Sequence, residues 1–245
     1  MQRYIAPLFG AFAVLVVMSA DSIAANLTTD STRLTLAPTE KHGELVIHNS
    51  GKTKTAMRTA VTRWTQRDGK NEYEPTQDVL VSPTTFEIEP GGAQVVRVAV
   101  KAGETIRERS YRLFLQEILT KDTPAQDKGI TLLRLGIPIF VTPEHAVHKL
   151  EWTLKPTTDG KLAVDVFNNG TVHSQIIDLR ILDEHGHIVS DEKVFSYVLP
   201  GQEHFWEVPA NADLKHKQMV HLDVVTDAQD ERGKFELNPA TPPAK

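Results

Sequence analysis

Three groups of residues in this chain have types and spacings that could do chemistry. Gly51-Lys52-Thr53 has the closing residues of a phosphate-cradling loop. That loop also needs a glycine five positions earlier and a helix behind it. The position is Val46, and the flanking runs read as strands, so nucleotide binding is excluded. Ten histidines invite a metal, and the closest pair, His185 and His187, flanks Gly186 in an Asp183-Glu184-His185-Gly186-His187 turn. Two imidazoles on a hairpin tip fall short of the three or four convergent ligands of a dedicated site, and they read as turn residues. For hydrolysis there is no Gly-x-Ser-x-Gly elbow. The acid pairs Asp183-Glu184 and Asp191-Glu192 are adjacent, so on a strand their side chains point to opposite faces. Cysteine is absent, which removes thiol redox chemistry and cysteine-based zinc sites. No enzymatic constellation survives, and no cofactor or metal is expected.

What remains is a surface for binding. Ile130 to Val141 is almost continuously apolar, interrupted by Thr131, Arg134, Gly136 and Pro138. Pro138 carries no N–H, which places this stretch at a sheet edge or bulge rather than mid-sheet. The preceding Leu119 to Gly129 is polar and loop-like. A long apolar edge is an aggregation hazard unless something covers it.

The rest of the chain bounds how that edge is presented. Arg3, the apolar run Ile5–Met18 and the small residues Ala20, Ser22, Ala24 and Ala25 read as a secretory signal peptide over residues 1–25. The apolar run is shorter than the about 18–20 residues a membrane span needs, so no membrane insertion is expected. An exported chain without disulfides must derive its stability from burial. A net charge of −5, spread along the chain, offers no basic face for nucleic acid. Short alternating runs such as Glu44–His48, Gln94–Val100 and Tyr111–Ile118 recur between turn signals, and helical periodicity is scarce. The fold class is therefore all-β, a sandwich over residues 26–145 and a smaller one over 146–238, with a disordered tail over 239–245. An early Asn-x-Gly turn and a later Pro-Gly turn occur in both halves. Trp64 and Tyr73 read as core aromatics.

Val81-Ser82-Pro83, then Pro90-Gly91, Gln94 with Arg97-Val98, and Tyr111-Arg112-Leu113-Phe114-Leu115-Gln116-Glu117-Ile118 together resemble the N-terminal domain of periplasmic pilus-assembly chaperones of the PapD-like, chaperone–usher type. The resemblance covers residues 26–143 and weakens beyond. It implies two Ig-like domains arranged at an angle, which lend a strand to pilus or fimbrial subunits whose own Ig-like fold lacks one. The lent strand would include Ile130, Thr131, Leu132, Leu133 and Leu135. Aligning its end puts Thr131, Leu133 and Leu135 into the subunit groove; a one-residue slip would use Ile130 and Leu132 instead.

The resemblance further implies a periplasmic location, delivery to an outer-membrane usher and, when empty, a self-capping homodimer. Family members anchor the subunit's terminal carboxylate with an Arg, here Arg33, and a Lys whose position is Pro138. That departure points to the divergent archaic branch and to Arg97 or Arg134 as replacements. A secreted Ig-like adhesion or carbohydrate-binding protein is the alternative. It needs an aromatic platform on a loop face, whereas Trp152 and Trp206 fall in predicted strands. A metal-dependent β-sandwich enzyme lacks its ligand set.

Overall fold

The computed structural model describes residues 27–101, 103, 105–119, 132–211 and 216–238. The expected signal peptide, the tail, Ile130 and Thr131 lie outside the described residues. All regular structure among the described residues is β. The first set of strands is β1 (Leu27–Thr29), β2 (Leu34–Leu36), β3 (His42–Asn49), β4 (Thr55–Arg67), β5 (Lys70–Pro75), β6 (Val79–Ser82), β7 (Thr85–Ile88), β8 (Ala93–Val100), β9 (Arg109–Ile118) and β10 (Arg134–Val141). The second is β11 (Leu150–Pro156), β12 (Lys161–Asn168), β13 (Ser174–Asp183), β14 (Ile188–Val198), β15 (Glu203–Pro209), β16 (Gln218–Thr226) and β17 (Glu231–Leu237).

The first set makes two sheets, β1-β3-β8-β6 and β2-β10-β9-β4-β5, with β7 also paired to β4. Period-2 alternation drives this packing. Leu45, Ile47, Val96 and Val98 from one sheet meet Met57, Leu113, Leu115 and Ile139 from the other in a single core. Because β1 pairs with β3 and β2 with β10, the chain crosses from sheet to sheet between Thr29 and Leu34. The second set makes β11-β12-β15 and β14-β13-β16-β17 around a separate core that includes Leu162, Val164, Leu179, Leu222 and Leu237.

Both sandwiches carry the same turn device. In the first, the buried Asn49 side chain donates to Thr53 O and Ile88 O and accepts from Gly51 N. In the second, buried Asn168 donates to Val172 O and Val198 O and accepts from Gly170 N. Asn49 N bonds Gly92 O and Gly91 N bonds Asn49 O; Asn168 N and Gly201 N do the same with Gln202 O and Asn168 O. The matching Asn-x-Gly and Pro-Gly turns of the sequence are therefore one hydrogen-bonded unit, used twice.

The open edge of strand β10 and the interdomain cleft

Strand β10 pairs antiparallel with β9 along its whole length, Arg134 opposite Gln116 through Val141 opposite Arg109. Its other side meets β2 only at Ile139–Val141. Between Arg134 and Pro138 no strand among the described residues covers that side. The Glu117 N to Leu133 O bond of 2.9 Å fixes which backbone groups point there. Antiparallel pairing alternates, so Leu133, Leu135 and Ile137 turn their N–H and C=O toward β9. Arg134 and Gly136 turn theirs to the open side, where Pro138 has only a carbonyl to offer. Proline thus sits where the β9 ladder needs no N–H.

The side chains divide by the same parity. Leu135 packs against the first core and Ile137 belongs to it, while Leu133 is half-buried. Leu132 and Arg134 are exposed on the opposite face. Of the expected lent residues, the structure therefore brings Leu133 and Leu135 together on the core side and sets Leu132 apart from them.

The opposite face of this sheet holds the charged groups. Arg112 stands across from Pro138, its guanidinium 4.1 Å from the Trp64 ring centre and 3.2 Å from Gly136 O. Arg134 lies 4.1 Å above Phe114, which meets Tyr73 edge-on at 5.3 Å. Tyr73 is 41% exposed, so it is not the core residue its type suggested. Trp64 is 2% exposed but belongs to a cluster apart from either sandwich core, with Phe140, Leu199 and Tyr197. These residues come from both sandwiches, so this face of the first sandwich is where the second docks. Gln66 reinforces the contact by donating to Tyr197 O and accepting from Leu199 N.

Arg33 precedes β2. Since Leu34 pairs with Ile139, Arg33 falls alongside Pro138, opposite the side on which Arg112 stands. Its guanidinium pairs with Asp227 of the second sandwich. Burial pushes the Tyr197 hydroxyl above its ordinary value, and Asp227 adds to this against the pull of Arg33 and Arg112. Tyr197 therefore stays a neutral donor beside two guanidinium groups. Arg97 lies elsewhere, 73% exposed on β8 in the other sheet, near Glu44. The structure brings Arg33, Arg112 and Arg134 to one face and leaves Arg97 out.

Sequence reasoning met Arg112 only as part of the Tyr111–Ile118 motif, gave it no role in the site, and did not single out His173, Glu108 or Asp227. Glu108 and His173 belong to different sandwiches, and the His173 ring Nδ1 lies 2.8 and 2.9 Å from the two Glu108 oxygens. The one signal for Arg112 was its position across from the missing lysine, which only strand register reveals. His185 and His187 sit on the β13–β14 turn, where His187 hydrogen bonds hold the Asp183 carboxyl down to about 2. Among the described residues no group of three or more His, Asp or Glu is arranged to hold a metal ion.

Comparison with known proteins follows the same lines. Residues 26–146 match the family model of pili and flagellar-assembly chaperones, PapD N-terminal domain. A search of curated proteins finds no match. Among solved structures, the chain resembles one from the CsuC–CsuE chaperone–tip adhesion subunit pre-assembly complex of the archaic chaperone-usher Csu pili of Acinetobacter baumannii. The TM-score is 0.62 at 18% identity, over 87% of this chain and 98% of that one. The complex of Salmonella enterica SafA pilin with the SafB chaperone gives 0.59 at 15%, over 88% and 97%. The Pseudomonas aeruginosa CupB2 chaperone gives 0.56 at 18%, over 86% and 100%. At these identities the likeness is one of fold, two Ig-like sandwiches in one chain. With the family model over the first sandwich and this fold over both, the chain belongs to the pili and flagellar-assembly chaperones.

Proposed function

We propose that this chaperone holds an incompletely folded pilus or related surface-fibre subunit in the periplasm by lending it the edge of β10. It then delivers the subunit to an outer-membrane usher, with no cofactor. The observation that carries this reading is the open edge from Arg134 to Pro138, flanked by an apolar row. An incoming strand would bond the Arg134 and Gly136 backbone, extending the six-stranded sheet. The even row offers the subunit one leucine, a guanidinium and a bare backbone at Leu132, Arg134 and Gly136. The odd row offers Leu133 and the partly buried Leu135, while Ile137 stays in the protein's own core. Only the odd row suits an apolar groove, which supports Leu133 and Leu135 as the inserted side chains over Ile130 and Leu132. When no subunit is bound, the same edge would pair with that of a second copy.

The subunit's terminal carboxylate would be received by Arg33 and Arg112, the two guanidiniums on either side of Pro138, with the Tyr197 hydroxyl as a third donor. Planar forks suit a carboxylate better than a point charge does. The missing lysine is in this account replaced by its cross-strand neighbour. Its different placement, like the likeness to a Csu-complex chain, favours the archaic branch.

The test is co-expression with a candidate subunit. Leu133→Asp buries an unpaired carboxylate in the groove and forfeits about 1.5–3 kcal/mol of leucine burial. Capture should fall at least about a hundredfold, since each ~1.4 kcal/mol is tenfold. The thermal midpoint of the free chaperone should hardly move, because Leu133 lies outside the core cluster. Undiminished capture by this variant would rule out that register.

A further inference from the structure

The contact between the sandwiches contains a buried ionisable group that strand donation does not use. Glu108, just before β9, has a side chain with 0% exposure, and His173, just before β13, has 9%. The His173 ring bonds both Glu108 oxygens, and its backbone N–H donates to Glu108 as well, at 3.2 Å. The other ring nitrogen faces Asp227 Oδ2 at 3.6 Å, too long for a hydrogen bond but close for opposite charges. Phe140 of β10 stacks on the imidazole with centroids 3.6 Å apart and planes 12° off parallel. A ring that meets a carboxylate at each end and an aromatic face alongside is in surroundings that favour imidazolium.

The geometry points to His173 as a pH-sensitive bolt between the two domains, which is closed when protonated and also sets the charge available in the subunit cleft. The groups that face it are Glu108 from the first sandwich, Asp227 after β16, Tyr197 from β14, and Arg33 through Asp227. With Tyr197 neutral, Glu108 and Asp227 balance His173 and Arg33. When the imidazole loses its proton, two carboxylates face one guanidinium, and Arg33 is drawn wholly to Asp227. The cleft then has less positive charge to offer a subunit carboxylate. This last consequence rests on the proposed function; the bolt itself does not.

Burial by itself would lower the His173 pKa, but Asp227 and Glu108 outweigh it and leave the pKa raised above the ordinary 6.5. A group raised on folding stabilises fully below its unfolded value and loses that stabilisation as the pH climbs through the folded one. The bolt is therefore closed below about pH 6.5 and opens on the alkaline side of that value.

The experiment is an NMR titration of the free chaperone from pH 5 to 9, following the His173 ring protons and the Trp64 indole N–H. His173 should titrate with a midpoint above 6.5, and Trp64, which packs on Phe140 and Tyr197, should shift with the same midpoint. In His173→Gln the Trp64 shift should vanish. Asp227→Asn, which retains an acceptor for Gln175 N, should lower the His173 midpoint, and it serves if the glutamine variant does not fold. A midpoint at or below 6.5, a Trp64 shift that persists in His173→Gln, or a midpoint unmoved by Asp227→Asn would overturn the bolt. No subunit is present, so a failure of strand donation would appear elsewhere. That failure would be normal titration here and no subunit capture by the same protein.

Discussion

At the scale of single residues, what matters is which groups have spare bonding capacity. Arg112 uses one N–H on Gly136 O and its flat face on Trp64, leaving donors for a carboxylate. Arg112→Ala should weaken subunit binding by about 10–100-fold, the loss of a charge-assisted bond of ~1.5–3 kcal/mol, and Arg112→Lys should restore part of it. Arg97→Ala, on the other sheet, should leave affinity unchanged, so measuring the three variants side by side by calorimetry separates the cleft from general surface charge. Asn168 is the counterpart for stability. Its side chain satisfies two buried carbonyls at 2.9 and 2.8 Å, and Asn168→Ala orphans both. Chemical denaturation should show a loss on the order of 2–3 kcal/mol, confined to the second sandwich.

At the scale of elements, the register of β2, β9 and β10 makes the site, and short contacts hold the joint between sandwiches. The β12–β13 turn lies against the strand-to-strand link: Thr171 N bonds Val147 O and Asn169 N bonds Lys149 O. A Cβ at Gly170 would sit 2.3 Å from Val147 O and 2.9 Å from Lys149 N. Gly170→Ala must therefore push the link away, at a cost of about 1–3 kcal/mol, and the thermal midpoint should drop by roughly 3–10 °C. A midpoint within a degree of the parent would contradict that packing. The sequence made most strands legible because their apolar residues alternate, as in Val96-Arg97-Val98. It hid β5, whose Lys70-Asn71-Glu72-Tyr73-Glu74-Pro75 buries nothing, and β1 and β2, each three residues long and too short for a period to show. It also hid β17, where Phe235 and Leu237 alternate with charges in what looked like the approach to a tail. The apolar edge at β10 was recognisable in the sequence, but its neighbours were not. Arg112 becomes a neighbour of Pro138, and Trp64 of Tyr197, only through pairings between residues far apart in sequence.

At the scale of the whole molecule, the two sandwiches are joined by an aromatic cluster and by ionised groups with opposite pH dependence. Burial would raise the Asp227 carboxyl, but His173, the Gln175 N–H and Arg33 hold it far below its ordinary 3.8. A depressed carboxyl stabilises above its unfolded value and loses this as the pH falls through the folded one. Together with the raised His173, docking of the domains should be strongest between about pH 4 and 6.5 and should weaken on both sides. Calorimetric scans across pH should show that plateau, and a joint that strengthens steadily up to pH 9 would contradict it. The central claim, however, is that a subunit adds a strand to β10, and backbone hydrogen exchange reads this amide by amide. In the free chaperone, kept dilute enough to be monomeric, the Leu135 and Ile137 amides are already bonded to β9, whereas those of Arg134 and Gly136 face the open side. In a one-to-one complex with a subunit, the account predicts new protection at Arg134 and Gly136, with little change at Leu135 and Ile137. Exchange at Arg134 and Gly136 that stays as fast in the complex as in the free protein would contradict strand donation.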